Sequence, residues 1–342
     1  MNAKDLQLFE QEKELDIILL GRIALDLNPL DYNCPLWQST TFKKYIGGSP
    51  ANTAIGFARL GGKAGFLGRI PDDSLGDYAE HVFREENIDT SHIVRCTDGS
   101  KMGLAITEIL DEKHSSILMY RENVADLKLA PEDIDEEYIK KSKALLISGT
   151  ALAQSPSREA ALKALALAKK NGITVIFDID YRAYTWKSLD EVSVYYSSVA
   201  LQSDIIMGSR EEMDLTEKFL GLNGTDEASA NFWFQKQCRI LIIKHGKEGS
   251  FGFVKGGGAY RVLPFPAKLL KSFGGGDGYA SSFLYALING YDLQDCFSMA
   301  TASASMLVAS HACSADMPSL PKLLEYKKEG IAAHGEMVSK VQ

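Results

Sequence analysis

Five short apolar runs constrain this chain more than anything else in it: residues 16–20 (DIILL), 144–147 (ALLI), 174–177 (TVIF), 204–207 (DIIM) and 240–243 (ILII). Each has the length of a strand and lacks the polar alternation of a strand with one wet face. Such runs suit a parallel sheet covered on both sides. Helical patterns lie between them. The clearest covers residues 158–170 (REAALKALALAKK), alanine-rich and stopped by Asn171-Gly172. Strands alternating with helices imply βαβ units and an α/β fold. Two segments, about 23–46 and 102–121, break the rhythm. The first leads to Gly47-Gly48 without a helical pattern, and the second reads as two strands around a polar turn at 111–114. Both are expected to form a small β lid over one end of the sheet, and residues 321–342 a C-terminal helical tail.

Composition narrows the partners. With 342 residues, 45% of them apolar, the chain can bury a sizeable core. A formal charge of -8 argues against a general binder of nucleic acid or anionic membrane, either of which needs a basic face. The five cysteines are odd in number and form no CxxC pair, which fits reduced thiols in a cytoplasm. The first residues carry no apolar signal core, and no stretch approaches the roughly 18 apolar residues that span a bilayer.

The strongest chemical signal is Gly274-Gly275-Gly276-Asp277, directly before a helical stretch. Glycines let main-chain N–H groups converge on an anion, and a helix N-terminus adds partial positive charge. An acid at the mouth of such a cradle repels a phosphate but is well placed to take a proton from an attacking hydroxyl. A plain glycine turn with Asp277 as a helix cap is the competing reading. No GxxxxGK[ST] occurs, and no GxGxxG follows a strand and opens a helix, so neither a P-loop enzyme nor a dinucleotide dehydrogenase is supported. Earlier, Gly47-Gly48 runs through Pro50 and Asn52 into a helix; Asn52 could offer its amide to a polyol, or belong to an ordinary helix. Asp26, just past the first strand, can accept from two sugar hydroxyls or be a solvated loop aspartate. Asp178, Asp180 and Arg182 follow a strand end, where open α/β sheets bind ligands; a structural Asp–Arg pair fits as well. Ser209 and Glu212 follow the next strand, with Glu212 either near a metal or serving as a first-turn acid. Lys244, Gly246 and Gly249 sit in a glycine turn between strands.

These segments, in this order, resemble the ribokinase-like (PfkB-type) carbohydrate kinases over roughly residues 14–320. The diagnostic parts are Gly47-Gly48 with Asn52 and Gly274 to Asp277 together. The resemblance implies a three-layer α/β/α fold with a mostly parallel sheet and a small β lid. It implies Asp277 as the base that activates a sugar hydroxyl, Gly274, Gly275 and Gly276 as the anion hole, and Asp26, Gly48 and Asn52 as sugar contacts. ATP with Mg²⁺ is expected near the turns at 246–249 and 274–276, beside Lys244, Gly246, Gly249 and Ser209, with Glu212 toward the metal; the family also admits K⁺. Gly21-Arg22, the 178–186 segment, Lys271 and Cys313 to Pro318 are similar to kinases that phosphorylate the 6-hydroxyl of a dehydro-deoxy-gluconate in myo-inositol catabolism. Kinases of 2-keto-3-deoxygluconate, other sugar kinases such as fructokinase, and a silent sugar-binding sensor remain alternatives. A sugar acid needs a cation: Arg121 in a Tyr-Arg segment after the second lid strand is the first choice, with Arg182 second and Asp180 beside it. A homodimer through the lid is a further expectation. Gly278, where the family commonly has Ser, Thr or Ala, is expected to loosen the helix start.

Overall fold

A computed structural model describes residues 4–9, 12–111, 114–222, 224–271 and 273–341. Glu112 and Lys113 of the expected lid turn, and Ser272 before the glycines, lie outside the described residues. In chain order the strands are β1 (Leu15–Leu20), β2 (Ala24–Pro29), β3 (Phe42–Gly47), β4 (Ala64–Pro71), β5 (Ile93–Cys96), β6 (Gly103–Ile109), β7 (Ser115–Tyr120), β8 (Ser142–Ser148), β9 (Thr174–Asp178), β10 (Ile205–Ser209), β11 (Ile240–Lys244), β12 (Ser250–Val254), β13 (Gly258–Val262) and β14 (Val338–Val341). The helices are α1 (Ser49–Arg59), α2 (Ser74–Glu85), α3 (Glu136–Lys140), α4 (Ser157–Lys170), α5 (Leu189–Ala200), α6 (Arg210–Glu217), α7 (Asp226–Phe234), α8 (Gly275–Ile288), α9 (Leu293–Val308) and α10 (Leu320–His334).

The main sheet runs β14-β13-β12-β11-β10-β9-β8-β1-β4-β5. Pairing is parallel from β5 across to β11, and antiparallel through β12, β13 and β14. The apolar runs are buried on both faces because their alternate side chains enter different layers. Ile17 and Leu19 pack with residues of α1, α2, α8, α9 and α10. Ile18 and Leu20 pack with residues of α3 to α7. This is the three-layer α/β/α arrangement. The strand order reverses at β1, so the crevice beyond the carboxyl ends of β1 and its neighbours is where an open α/β sheet takes a ligand.

A second sheet, β3-β2-β6-β7, forms the lid. It is fed directly from β1 and returns directly into α1 through Gly48, at φ +96°, where a Cβ would lie 2.5 Å from the Arg22 carbonyl oxygen. Only glycine closes that turn without displacing the end of β1.

The C-terminal stretch corrects one expectation. Residues 321–342 are not helical throughout: α10 stops at Gly335, at φ +81°, and Val338–Val341 pairs with β13 as an edge strand. The reason is local, since a left-handed glycine ends the helix and the β-branched Val338 is buried on the sheet. All five cysteines are unpaired. Among the described residues no helix is long and apolar enough to cross a membrane.

Candidate active site

Helix α8 begins at the carboxyl edge of the sheet. Gly274 caps it in the left-handed region at φ +89°, and Gly275, Gly276 and Asp277 form its first turn. First-turn N–H groups have no acceptor within their own helix, so they are free to face an anion. The glycines are also required by their neighbours. A Cβ on Gly274 would lie 2.6 Å from Cys313 Sγ, and one on Gly278 2.4 Å from Leu307 Cδ1. Gly278 has a packing reason at this position: it lets α8 and α9 approach closely.

Asp277 is held from both sides by the first turn of α1. Ser49 Oγ donates to its Oδ1 at 2.7 Å and Asn52 Nδ2 to its Oδ2 at 2.8 Å. Burial pushes the Asp277 carboxyl above the ordinary aspartate range and the Asp180 charge adds to this; the bonds from Asn52 and Ser49, and Arg182, pull it back. Asn52 was expected to meet sugar hydroxyls. Its amide nitrogen donates to Asp277, and among the described residues its buried Oδ1 has no hydrogen-bond partner.

Asp26 stands on β2, with its carboxylate over Gly47, where a Cβ would lie 1.9 Å from Oδ1. Burial pushes its carboxyl up to about 6, with Asp277 also raising it and Arg22 and Lys271 opposing. Asp26 and Asp277 thus face one shared space, between lid and sheet. Asp178 and Asp180 close β9. Ser148 Oγ donates to Asp180 Oδ2 at 3.2 Å, and Arg182 Nη2 pairs with Asp180 Oδ1 at 2.6 Å. Asp180 holds a left-handed backbone, φ +38°, a conformation an aspartate adopts only where its surroundings enforce it. Lys244, ending β11, lies 3.9 Å from Asp178 Oδ1, and its Nζ would be 3.6 Å from a Cβ on Gly276. A cation therefore sits beside the free N–H groups of α8. Burial would lower the Lys244 ammonium, but Asp178, Glu212 and Asp277 outweigh it and hold it charged.

Two expected cofactor residues carry local structure. Ser209 caps α6 by accepting from Glu212 N at 3.2 Å. Ser209 N in turn donates to Glu212 Oε2 at 2.7 Å, and Tyr181 N donates to Glu212 Oε1 at 2.8 Å. The carboxylate expected near a metal thus accepts one main-chain bond on each oxygen, which fixes its position at the start of α6. Among the described residues no three His, Cys, Asp or Glu side chains gather as a metal site. In the β11–β12 turn, Gly249 is sterically obligatory, since a Cβ would lie 2.1 Å from Val262 O, whereas Gly246 at φ +58° faces open space.

Arg121 is also differently occupied. It grips Asp126 with both ends of its fork, at 2.8 and 2.7 Å, and both side chains are almost fully buried. It does not present a free guanidinium. Ser49, Arg22 and Lys271 were not assigned from the residues. Lys271 is fully buried against the glycine turn and donates to Ala312 O at 2.6 Å. No sequence periodicity marks any of the three; each matters through a neighbour far away in the chain.

Comparison with known proteins agrees with this geometry. Residues 14–320 match the pfkB family carbohydrate kinases. The chain is 54% identical over 332 residues to 5-dehydro-2-deoxygluconokinase of Clostridium perfringens, covering 97% of this chain and 98% of that one. It is 48% identical over 328 residues to 5-dehydro-2-deoxygluconokinase of Geobacillus kaustophilus, covering 95% and 98%. Among solved structures, a PfkB protein from a Polaromonas species superposes with a TM-score of 0.79 at 27% identity, over 91% of this chain and 99% of that one. A fructokinase with bound ATP from Xylella fastidiosa shares the fold at a TM-score of 0.77 and 24% identity, over 92% and 98%. With a buried carboxylate at a glycine-opened helix N-terminus and a β lid above it, this chain belongs to the pfkB family of carbohydrate kinases.

Proposed function

We propose that this chain uses ATP to phosphorylate the 6-hydroxyl of 5-dehydro-2-deoxy-D-gluconate, a step of myo-inositol catabolism in the cytoplasm. The observation that carries the reading is the setting of Asp277: a carboxylate oriented by Ser49 and Asn52 at the mouth of the free N–H groups of α8. The relatives at 48% and 54% identity, which bear the name of this activity over nearly their whole length, supply the substrate.

In this reading Asp26 accepts from sugar hydroxyls and aligns the primary hydroxyl on Asp277. Asp277 takes the hydroxyl proton as the oxygen attacks the terminal phosphoryl group in line. The first-turn N–H groups at 275–277 face the charge that builds on the transferring group, where a fixed dipole needs no reorganisation. Lys244 adds a full positive charge beside them. Mg²⁺ carried on the nucleotide phosphates neutralises part of their charge when bound, a role that draws few ligands from protein. Closure of the lid removes water that would otherwise compete for the phosphoryl group.

The test is ADP release with ATP and a panel of sugars and sugar acids, with the product located by ³¹P–¹H NMR. Turnover is expected to be highest on 5-dehydro-2-deoxy-D-gluconate, with phosphate on O6. A higher kcat/KM on 2-keto-3-deoxygluconate or fructose would overturn the substrate while leaving the kinase.

A further inference from the structure

Three arginines gather at the sugar end of the site, and two of them are already paired. Arg121 is locked on Asp126 and Arg182 on Asp180. Arg22 is different. Its side chain lies at the end of β1 and is 5% exposed, yet among the described residues it makes no ion pair. Among the described residues its one side-chain hydrogen bond goes from Nη1 to the hydroxyl of Tyr184 at 3.1 Å, and its Nε, like that of Arg121, is buried with no partner. Its Cγ would lie 3.4 Å from a Cβ on Gly48, so the stem is pinned where β1 passes into the lid. The group lies within electrostatic reach of Asp26, Asp180 and Asp126, between the base of the lid and the end of the sheet.

A largely buried guanidinium with no anionic partner and a buried Nε–H left unpaired is costly unless something completes it. A planar fork in that state matches a carboxylate, whose two oxygens can each accept. We propose that Arg22 is the specificity-determining residue of this site and receives the carboxylate of a sugar acid. The proposal rests on the sugar-acid reading above. A neutral polyol cannot pair the guanidinium, so the site discriminates against it even where every hydroxyl contact is kept. Arg121 and Arg182 then act at one remove, holding Asp126 and Asp180 so that neither neutralises Arg22.

The experiment is a binding measurement that needs no turnover. Isothermal titration compares D-gluconate with D-glucitol, which differs in having a hydroxymethyl group for the carboxylate, on the parent, Arg22→Met and Arg22→Lys. The parent should prefer gluconate by about 10- to 100-fold, the scale of charge-assisted hydrogen bonds. Arg22→Met should erase that preference while leaving glucitol within about twofold; Arg22→Lys should keep part of it. Equal weakening of both ligands in a folded Arg22→Met protein overturns the proposal. So does a parent with no preference, which decides the matter even if the Met variant does not fold. So does loss of the preference in Arg121→Met with its survival in Arg22→Met. A parent that prefers gluconate but does not phosphorylate the dehydro-deoxy acid removes the proposed reaction and leaves Arg22 standing.

Discussion

Asp277, the base of the proposed reaction, is oriented by two side chains on another helix. Replacing it with Asn keeps the shape and both neighbours but cannot accept the proton; kcat should fall about 10²- to 10⁴-fold with little change in KM for ATP. Its partners tune when it works. Burial raises the carboxyl, and the Asn52 and Ser49 bonds oppose that rise. Asn52→Ala removes one donor, so the carboxyl must titrate at higher pH and the base is lost earlier on acidification. A charged hydrogen bond of about 1.5–3 kcal/mol corresponds to roughly one to two pH units. The acid limb of the kcat/KM profile should move up by about that much; a profile that does not move, or moves to lower pH, rejects the role given to Asn52. Asp26 carries a cost of its own. Its carboxyl sits near 6, above its ordinary value of 3.8, so its contribution to stability is full below the ordinary value and is lost as pH rises through 6. Unliganded Asp26→Asn should therefore be more stable than the parent at pH 8, on the order of 1–3 kcal/mol, with the advantage gone by about pH 4, while sugar KM rises. Urea melts at the two pH values check the sign. Asp277 and Asp26 were legible because a carboxylate next to glycines or just past a strand is a local signal. Ser49, Arg22 and the Arg121–Asp126 pair were not, because what each side chain does is set by a residue on a different element.

At the scale of elements, glycine spacing does more than leave the first turn of α8 open. Helix α8 is buried from Gly278 to Leu287 and crosses α9 and α1 at short range. The crossings fall where side chains are absent: Gly278 against Leu307, and Gly56 against Ser281 and Met317. Gly278→Ala places a methyl 2.4 Å from a fully buried Leu307 methyl, so overpacking should cost about 1–3 kcal/mol. Leu307→Ala alone should also destabilise, by leaving a cavity. The double variant should lose less than the sum, since the new methyl fills part of the space that Leu307 vacated. Strict additivity in chemical denaturation would remove the contact as the reason for Gly278. The strands that sequence alone makes visible are the uninterrupted apolar ones. Strand β4 is broken by Gly65 and Gly68, and β12 to β14 are short and mix polar with apolar residues. Pairing defines these strands, and pairing is not a local property.

At the scale of the molecule, the fold was legible because a doubly covered parallel sheet demands apolar runs that nothing else in the chain explains, and the lid was legible as their interruption and, at 102–121, as two strands around a polar turn. The lid's own pattern carries a consequence for assembly. Along β6 the odd positions Gly103, Ala105, Thr107 and Ile109 are buried, on the face that also carries Asp26 and Asn28. The even positions Leu104 and Ile106 point the other way and are half-exposed, although apolar. Their cross-strand partners Tyr120 and Leu118 are 55% and 47% exposed, and Leu27 lies beside Ile106. At its base this outer face is covered by the chain's own core, against which Leu27 and Leu104 pack, but its distal part, with Ile106, Leu118 and Tyr120, is an apolar sheet surface left open, and surfaces of that kind mark association sites. We propose a second copy of the same lid as its occupant, since two-fold symmetry lets one apolar sheet face cover another. The parent is expected to sediment as a dimer of twice 37.5 kDa at micromolar concentration. Leu118→Lys should shift it to monomer, since a charge at the centre of the face cannot be buried unpaired. Its apo melting temperature, extrapolated to low concentration, should stay close to the parent's, because Leu118 contributes little to the core of its own chain. Sugar KM should rise in the monomer, as a lid braced by its partner is held over the site and a lone lid is not. A parent that sediments as a monomer at these concentrations would assign the exposed face some other partner and take the lid-to-lid dimer off the table.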